Sequence, residues 1–110
     1  DSIPSSANQE DFVSMGTTAA RKAGTILQNT LSVLAFELLT ACQAIDIRRM
    51  TGLYGKGLSP VGEAVFQHVR EKVSFMEIDR ELWPDIQEVE KMVRSGELLE
   101  LAFSLVPDFQ

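Results

Sequence analysis

The longest proline-free stretch of the chain limits its fold more than any other feature. No proline occurs from Val13 to Arg48, and apolar residues recur within that stretch at steps of three and four. They are Ala20, Ala23, Leu27, Leu31, Leu34, Leu38, Ala41 and Ile45. A spacing of about 3.5 residues is typical of a helix that packs at a shallow angle against other helices. We therefore predict a long helix over residues 13–49 in a helical bundle.

The side of this helix opposite the apolar stripe is also apolar from Leu31 onward. It carries Val33, Ala35, Phe36, Leu39 and Cys42. A helix that is apolar on all sides must be covered on all sides. The remaining chain hardly supplies enough helix, so we expect other segments or other subunits to complete the bundle. A bundle formed wholly within the chain is the alternative.

The rest of the sequence predicts a loop and shorter helices. Residues 50–58 are rich in glycine and form the loop, and residues 59–110 carry the shorter helices. Ser59 and Pro60 begin one helix, which runs through Val73. A second follows Pro84 and ends near Gly96, and residues 97–105 form a third. No convincing strand pattern occurs. We assign a single all-α segment over residues 1–110, with a long central helix followed by shorter helices.

Charge and cysteine content narrow the classes of function. The net charge of −6 disfavours binding to nucleic acid. Cys42 is the only cysteine, which indicates a buried thiol in the reducing cytoplasm. The most apolar stretch, 31–45, is shorter than a membrane span and contains Glu37, so we predict no membrane insertion. The chain starts at Asp1, and we expect it to be a piece of a longer polypeptide.

No residue pattern predicts a metal site or a phosphate loop. His68 has no second histidine or cysteine near it in the sequence, so we interpret it as a helix-surface or interface residue. The glycines of the 50–58 loop lack the Walker spacing and follow no predicted strand. Acidic residues between Glu77 and Glu90 show no calcium-loop pattern, and a solvated face is the simpler interpretation.

The stretch "SANQEDFVSMG", residues 6–16, has two compatible interpretations. Ser6 and Gln9 have the spacing of a capping box, and Glu10 with Asp11 lies where a helix dipole favours acids. A helix N-terminus also presents unsatisfied N–H groups that attract an anion, such as the carboxylate of a substrate. The run is therefore both a helix start and a candidate site.

Two longer runs carry a family resemblance. "DSIPSSANQEDFVSMGTTAARKA" followed by "NTLSVLAFELLTACQAIDIR" closely resembles the C-terminal part of the histidine ammonia-lyases, a branch of the aromatic amino acid ammonia-lyase family. The resemblance is strong over residues 1–49 and looser beyond. It implies a homotetramer of long helices whose active sites are built from several subunits. It also implies elimination of ammonia from L-histidine to give urocanate.

The resemblance identifies residues 1–12 as an active-site motif. Glu10 matches the family's acidic residue, which implies that it contacts the imidazole of the substrate or assists proton transfer. Gln9 matches a neighbouring substrate-binding position, and we assign no chemistry to Asp11. Phe12 replaces the histidine that is usual in the family. This departure leaves open a related lyase or aminomutase that acts on another aromatic amino acid.

The family's cofactor, 4-methylideneimidazol-5-one, forms from an Ala-Ser-Gly sequence that this chain does not contain. Ser95 and Gly96 follow Arg94 instead of an alanine. We therefore expect the cofactor to come from an upstream part, and we expect this chain alone to be inactive and to self-associate through its apolar stripe. A helical interaction module without catalysis is the competing interpretation.

Overall fold

The computed structural model describes the backbone of residues 8–53, 55 and 57–109, and within these ranges the side chains from Met15 to Asp108. The described residues form four α-helices and contain no strand, which confirms the all-α class. The helices are α1 (Asn8–Met50), α2 (Pro60–Arg70), α3 (Trp83–Ser95) and α4 (Glu97–Leu105). A short 3-10 helix, Pro107–Phe109, follows α4.

The long helix α1 begins earlier than the predicted residue 13, so the backbone of residues 8–12 is already helical. It ends where Gly52 adopts a φ of 75°, a left-handed conformation that stops helices. The amide of Leu53 then donates to the carbonyl of Arg48 at 3.0 Å. The predicted capping residue Ser6 lies outside the described residues.

The contacts within the chain divide it into two units, residues 1–30 and 31–110. The boundary between them falls inside α1. The interpretation of residues 1–110 as a single segment therefore stays a prediction.

One core fills the unit 31–110, and α1, α2 and α3 all contribute side chains to it. Its buried residues are Ala35, Cys42, Phe66, Val69, Val73, Ile86, Val89 and Met92. Leu38, Leu39, Ile45, Leu58, Val93 and Leu98 are partly buried and pack against them. Burial of apolar surface contributes about 25 cal/mol per Å², so this cluster stabilises the unit.

The predicted apolar stripe of α1 is wrong in part of its register. Leu34 and Ala41 belong to the predicted stripe but are exposed, whereas Ala35 and Cys42 are buried. Alternating steps of four and three therefore persist, along the series Leu31, Ala35, Leu38, Cys42 and Ile45. The two stripes share Leu31, Leu38 and Ile45 and differ only at positions 34 or 35 and 41 or 42, so both alternate steps of three and four, and the packing of the later elements selects between them.

The shorter helices begin and end at the predicted signals. The Ser59 hydroxyl accepts a hydrogen bond from the Gly62 amide at 3.1 Å, and Pro60 occupies the first turn of α2. Gly96, with a φ of 81°, ends α3 and precedes α4. One detail differs, because α2 ends at Arg70 and Val73 is buried in the connection that follows.

Side chains hold the connection between α2 and α3 in place. The Gln43 amide donates to the Met76 carbonyl at 2.9 Å and accepts from the Met76 amide at 3.2 Å. Arg80 donates to the Ser74 carbonyl at 2.6 Å and to Asp85 at 3.0 Å. These bonds satisfy backbone groups of a segment that has no regular structure.

The stretch Met15–Met50 of α1 is long and apolar enough to cross a membrane when judged by length and composition alone. The prediction that the chain does not insert into a membrane therefore stays a prediction. A single helix of this kind is weak support for a membrane span, because core helices of soluble proteins meet the same criterion.

Candidate active site

The two predicted site residues, Gln9 and Glu10, lie in the first turn of α1. Backbone N–H groups in a first turn have no acceptor within the helix and attract acidic groups. The side chains themselves lie outside the described residues, as does that of Phe12. Their roles stay predictions.

The part of α1 that follows these residues is open to solvent. Every residue from 15 to 30 is exposed, including Met15, Ile26 and Leu27, which are 52%, 64% and 62% exposed. The hydroxyl of Thr30 donates to the Ile26 carbonyl of the same helix at 2.8 Å. A closed aromatic pocket beside such a helix needs walls that other protein segments supply.

His68 on α2 joins a small polar cluster. Its Nε2 lies 2.6 Å from Oε2 of Glu97 on α4, and the Ser95 hydroxyl donates to Oε1 of Glu97 at 2.8 Å. The hydrogen bond from His68 is the main cause that lowers the pKa of Glu97, and Ser95 and Lys72 add to it. His68 therefore links helices, as its interpretation as a surface or interface residue requires.

The His68 cluster is not arranged for hydrolysis. In a catalytic triad the histidine lies between the nucleophile and the acid, whereas here Glu97 lies between Ser95 and His68. No group of three metal-ligating side chains occurs among the described residues. The prediction that the chain has no metal site stays a prediction.

Two arginines of the unit 31–110 are engaged in structural contacts. Arg70 donates to Asp46 at 2.8 Å and to the Val73 carbonyl at 3.0 Å. Its Nη2 is also 2.8 Å from Asp46, close enough for an ion pair although it is not aligned for a second hydrogen bond. Arg49 pairs with Glu63, and both guanidinium groups lie over the ring of Phe66, at 4.8 and 5.5 Å.

Cys42 is buried, as the sequence predicts, and is only 2% exposed. Burial is the main cause that raises the pKa of its thiol, against the opposing charge of Arg70, and Asp46 raises it further. A thiol that stays protonated is a poor nucleophile. Cys42 therefore fills the core and is no candidate for catalysis.

A groove of about 280 Å³ lies between α1 and the connection that precedes α3. Its lining is mainly apolar and includes Phe36, Leu39, Val73, Met76 and Leu82. Its charged lining residues are already paired, Arg80 with Asp85 and Arg70 with Asp46. Gln43 and Ser74 also line the groove, and they bond Met76 and Arg80 of the connection. With a mainly apolar lining whose polar groups serve structural contacts, the groove is not an active site by itself.

Comparison with known proteins identifies the family. The family model of the aromatic amino acid lyases matches residues 1–71, which include Gln9, Glu10 and the whole of α1. The chain belongs to this family.

Individual relatives agree with the family model. The chain is 48% identical over 100 residues to a histidine ammonia-lyase of Streptococcus sanguinis, and 52% identical over 101 residues to one of Caldanaerobacter subterraneus. These matches cover 91% and 92% of the chain. A tyrosine ammonia-lyase of Cupriavidus metallidurans is 43% identical over 100 residues, which cover 91% of the chain. The predicted resemblance to histidine ammonia-lyases is confirmed.

The chain is short compared with these relatives. It spans 18% of the Streptococcus protein and 19% of the Caldanaerobacter protein, less than a fifth of each. No solved structure matches the chain significantly.

Sequence reasoning missed the polar cluster that joins His68 to Glu97. The two residues are 29 positions apart, and no spacing rule relates them. The one available signal was that Glu97 and Ser95 flank Gly96 at a predicted helix boundary. That signal indicates a cap but does not reveal a partner on another helix.

Proposed function

We propose that the complete polypeptide is a histidine ammonia-lyase, a carbon–nitrogen lyase that converts L-histidine to urocanate and ammonia. The observation that carries this proposal is the family match over residues 1–71, which contains the Gln9–Glu10 motif. The relatives named histidine ammonia-lyase, at 48% and 52% identity, support histidine as the substrate. Because the chain spans less than a fifth of these proteins, it is expected to be inactive alone.

Glu10 is the residue that we expect to recognise the substrate. A carboxylate accepts a hydrogen bond from an imidazole N–H, which a phenyl ring does not offer. A carboxyl group in a closed aromatic pocket loses part of its hydration, which moves its pKa toward the range where it exchanges protons near neutral pH. The amide of Gln9 both donates and accepts, which suits a position near the substrate carboxylate.

The family implies the cofactor 4-methylideneimidazol-5-one, and the residues of this chain do not form it. The sequence contains no Ala-Ser-Gly. At the nearest match, the Ser95 hydroxyl lies 3.1 Å from the Met92 carbonyl oxygen and 2.8 Å from Oε1 of Glu97, and Gly96 ends a helix. We propose that the cofactor forms elsewhere in the complete polypeptide, where it would supply the electrophile for the elimination.

We propose that the complete enzyme is a homo-oligomer, a homotetramer as in the family, assembled through α1. Between residues 31 and 50, large apolar side chains of α1 are exposed: Val33 is 56%, Leu34 42%, Phe36 48%, Ile47 46% and Met50 66% exposed. Contiguous exposed apolar surface marks an interface. We propose that protein rather than lipid covers it, and that the enzyme acts in the cytoplasm without a nucleic acid or membrane partner.

A second candidate is a lyase or aminomutase that prefers another aromatic amino acid. Two observations favour it: Phe12 stands where the family usually has histidine, and one relative is named tyrosine ammonia-lyase. A third candidate, a helical interaction module without catalysis, draws on the same exposed apolar face of α1. An Ala-Ser-Gly sequence upstream of this chain would favour the lyases over the module.

A substrate comparison tests the proposal. The complete polypeptide is incubated with histidine, tyrosine and phenylalanine, and the ultraviolet absorbance of the unsaturated products is followed. We expect kcat/KM for histidine to exceed that for phenylalanine by on the order of 100-fold or more, because a phenyl ring offers Glu10 no hydrogen-bond donor, and also to exceed that for tyrosine, whose single donor lies at a different position from the imidazole N–H. The 110-residue chain alone serves as the control and should give no product. Dominant cinnamate or coumarate formation would refute histidine as the substrate.

A further inference from the structure

The C-terminal helix α4 is the least buried helix of the unit 31–110. No residue of α4 is fully buried, whereas α2 buries Phe66 and Val69 and α3 buries four residues. Only Leu98 of α4 packs against the core as a partly buried side chain. Elements with little buried apolar surface open locally at low free-energy cost.

A single glycine separates α4 from α3. Gly96 has a φ of 81°, which an L-residue adopts only with strain, and no atom would meet a Cβ added there within 4 Å. Open space and backbone freedom at one residue are the properties of a hinge. Rotation at Gly96 changes the position of α4 relative to α2 and α3, both of which it contacts.

The polar cluster described above lies at this hinge and connects three helices. His68 belongs to α2, Ser95 is the last residue of α3, and Glu97 is the first residue of α4. The contact between His68 and Glu97 is 2.6 Å, with side chains that are 28% and 42% exposed. Water and protons therefore reach the pair, and the pair bridges α2 and α4, which pack against each other.

We propose that His68 and Glu97 form a pH-sensitive latch that holds α4 against α2 and that loosens, by rotation at Gly96, when the imidazole loses its charge. Histidine gains its positive charge as the pH falls through the range of about 8 to 5. The pair is then a charge-assisted hydrogen bond, and above this range it is a neutral one. The charged form is the stronger, so the latch tightens in mild acid.

The neighbouring charges are consistent with a latch that tightens as the pH falls. Lys72, just beyond α2, adds a positive charge that acts on Glu97, and Ser95 on α3 contributes a neutral hydroxyl. All three neighbours lower the pKa of Glu97, so this carboxylate stays ionised throughout the range in which histidine titrates. Ionised Glu97 contributes fully to stability above the pKa that it has in the unfolded chain. This contribution is lost only as the pH falls through the lower pKa that Glu97 has in the folded chain. The latch is therefore strongest in the pH range in which the imidazole is charged and the Glu97 carboxylate is still ionised.

Hydrogen exchange in the complete polypeptide tests the latch without reference to turnover, so its failure is distinguishable from that of the proposed function. Mass spectrometry follows peptides that cover residues 97–105 from about pH 5 to about pH 8, with rates normalised to the intrinsic exchange rate at each pH. We expect α4 to lose protection roughly two- to five-fold as the pH rises, in line with a partly exposed pair.

Two variants and a control make the test specific. His68→Gln retains a hydrogen-bond donor but cannot titrate, so α4 protection should become independent of pH. Glu97→Gln should lower the protection of α4 and leave that of α3 intact. Glu88→Gln, which removes the exposed pair with Lys91 on α3, should leave α4 unchanged. The proposal is overturned if His68→Gln retains the pH dependence, or if α3 loses protection together with α4.

Discussion

Glu10 and His68 are the two residues for which a structural role and a functional role are hardest to tell apart. Each is a titratable side chain on a helix, and each has an ordinary structural explanation. For Glu10 that explanation is the helix dipole, which favours an acid in the first turn of α1 whatever the function. A substitution that keeps the shape but removes the charge separates the two contributions.

We expect Glu10→Gln in the complete enzyme to lower kcat on histidine by about 10²- to 10⁴-fold, the usual contribution of a general acid or base. The loss of one favourable dipole contact should cost only about 0.3–1 kcal/mol of stability. Steady-state assays of urocanate formation and thermal unfolding measure the two effects.

Asp11→Asn is the matched control for Glu10→Gln. Asp11 lies in the same helical turn and feels the same dipole, but it has no assigned chemistry. The turnover of the Asp11→Asn variant should therefore stay within a few-fold of that of the unmodified enzyme. Unchanged turnover in Glu10→Gln would remove Glu10 from the mechanism.

At the scale of elements, α1 shows what hydrophobic spacing does and does not determine. The helix itself and the alternation of three and four follow from the sequence. The choice between the stripe through Leu34 and Ala41 and the stripe through Ala35 and Cys42 does not, because both consist of apolar residues. The core formed by α2 and α3 faces the second stripe.

This register gives a paired prediction. Ala35 is completely buried, so Ala35→Leu inserts methylene groups into a packed core and should lower the free energy of unfolding by about 1–3 kcal/mol. Ala41 is exposed, so Ala41→Leu should change it by less than about 0.5 kcal/mol. The two variants of the 110-residue chain are compared by urea unfolding followed by circular dichroism. The measurements are made at a dilution where a single species sediments. A larger effect at Ala41 would restore the stripe expected from spacing.

The short helices were predicted well because their boundaries depend on local chemistry. Ser59 and Pro60 begin α2 through a side-chain cap and a fixed φ, and Gly96 ends α3 through a left-handed φ. Each of these signals acts within four residues of chain. The end of α2 at Arg70 was missed because Val73 continues the apolar spacing after the helix has stopped.

At the scale of the whole molecule, α1 has an exposed apolar face that the 110 residues do not cover. Leu34 and Phe36 are 42% and 48% exposed although both are large and apolar. Such a face is costly in water, and proteins cover it with other segments or other copies. The isolated chain has only further copies of itself available.

We therefore expect the 110-residue chain to self-associate, and sedimentation velocity over a range of concentrations measures this. Phe36→Glu places a charge on the exposed face and should shift the distribution toward monomer. Leu99→Glu, at a residue of α4 that is 55% exposed, places the same charge elsewhere and should leave the association unchanged. A stable monomer of the unmodified chain at all concentrations would contradict the proposed interface.

The features of the candidate sites also differ in whether they depend on neighbouring residues or on residues far apart in the sequence. The motif that contains Gln9 and Glu10 is contiguous, so the family was recognisable from the sequence and is confirmed, whereas the roles of the two residues stay predictions. The partner of His68 was not, because a contact across 29 residues depends on how α2 and α4 pack.

The sequence by itself determined the all-α class, the long helix, the caps of the short helices and the family. These depend on interactions within a few residues or on contiguous motifs. Only the tertiary structure decided which stripe of α1 is buried and which acid pairs with His68. Several apolar stripes and several acids meet the local rules equally, and the choice among them is made by the free energy of packing distant elements together.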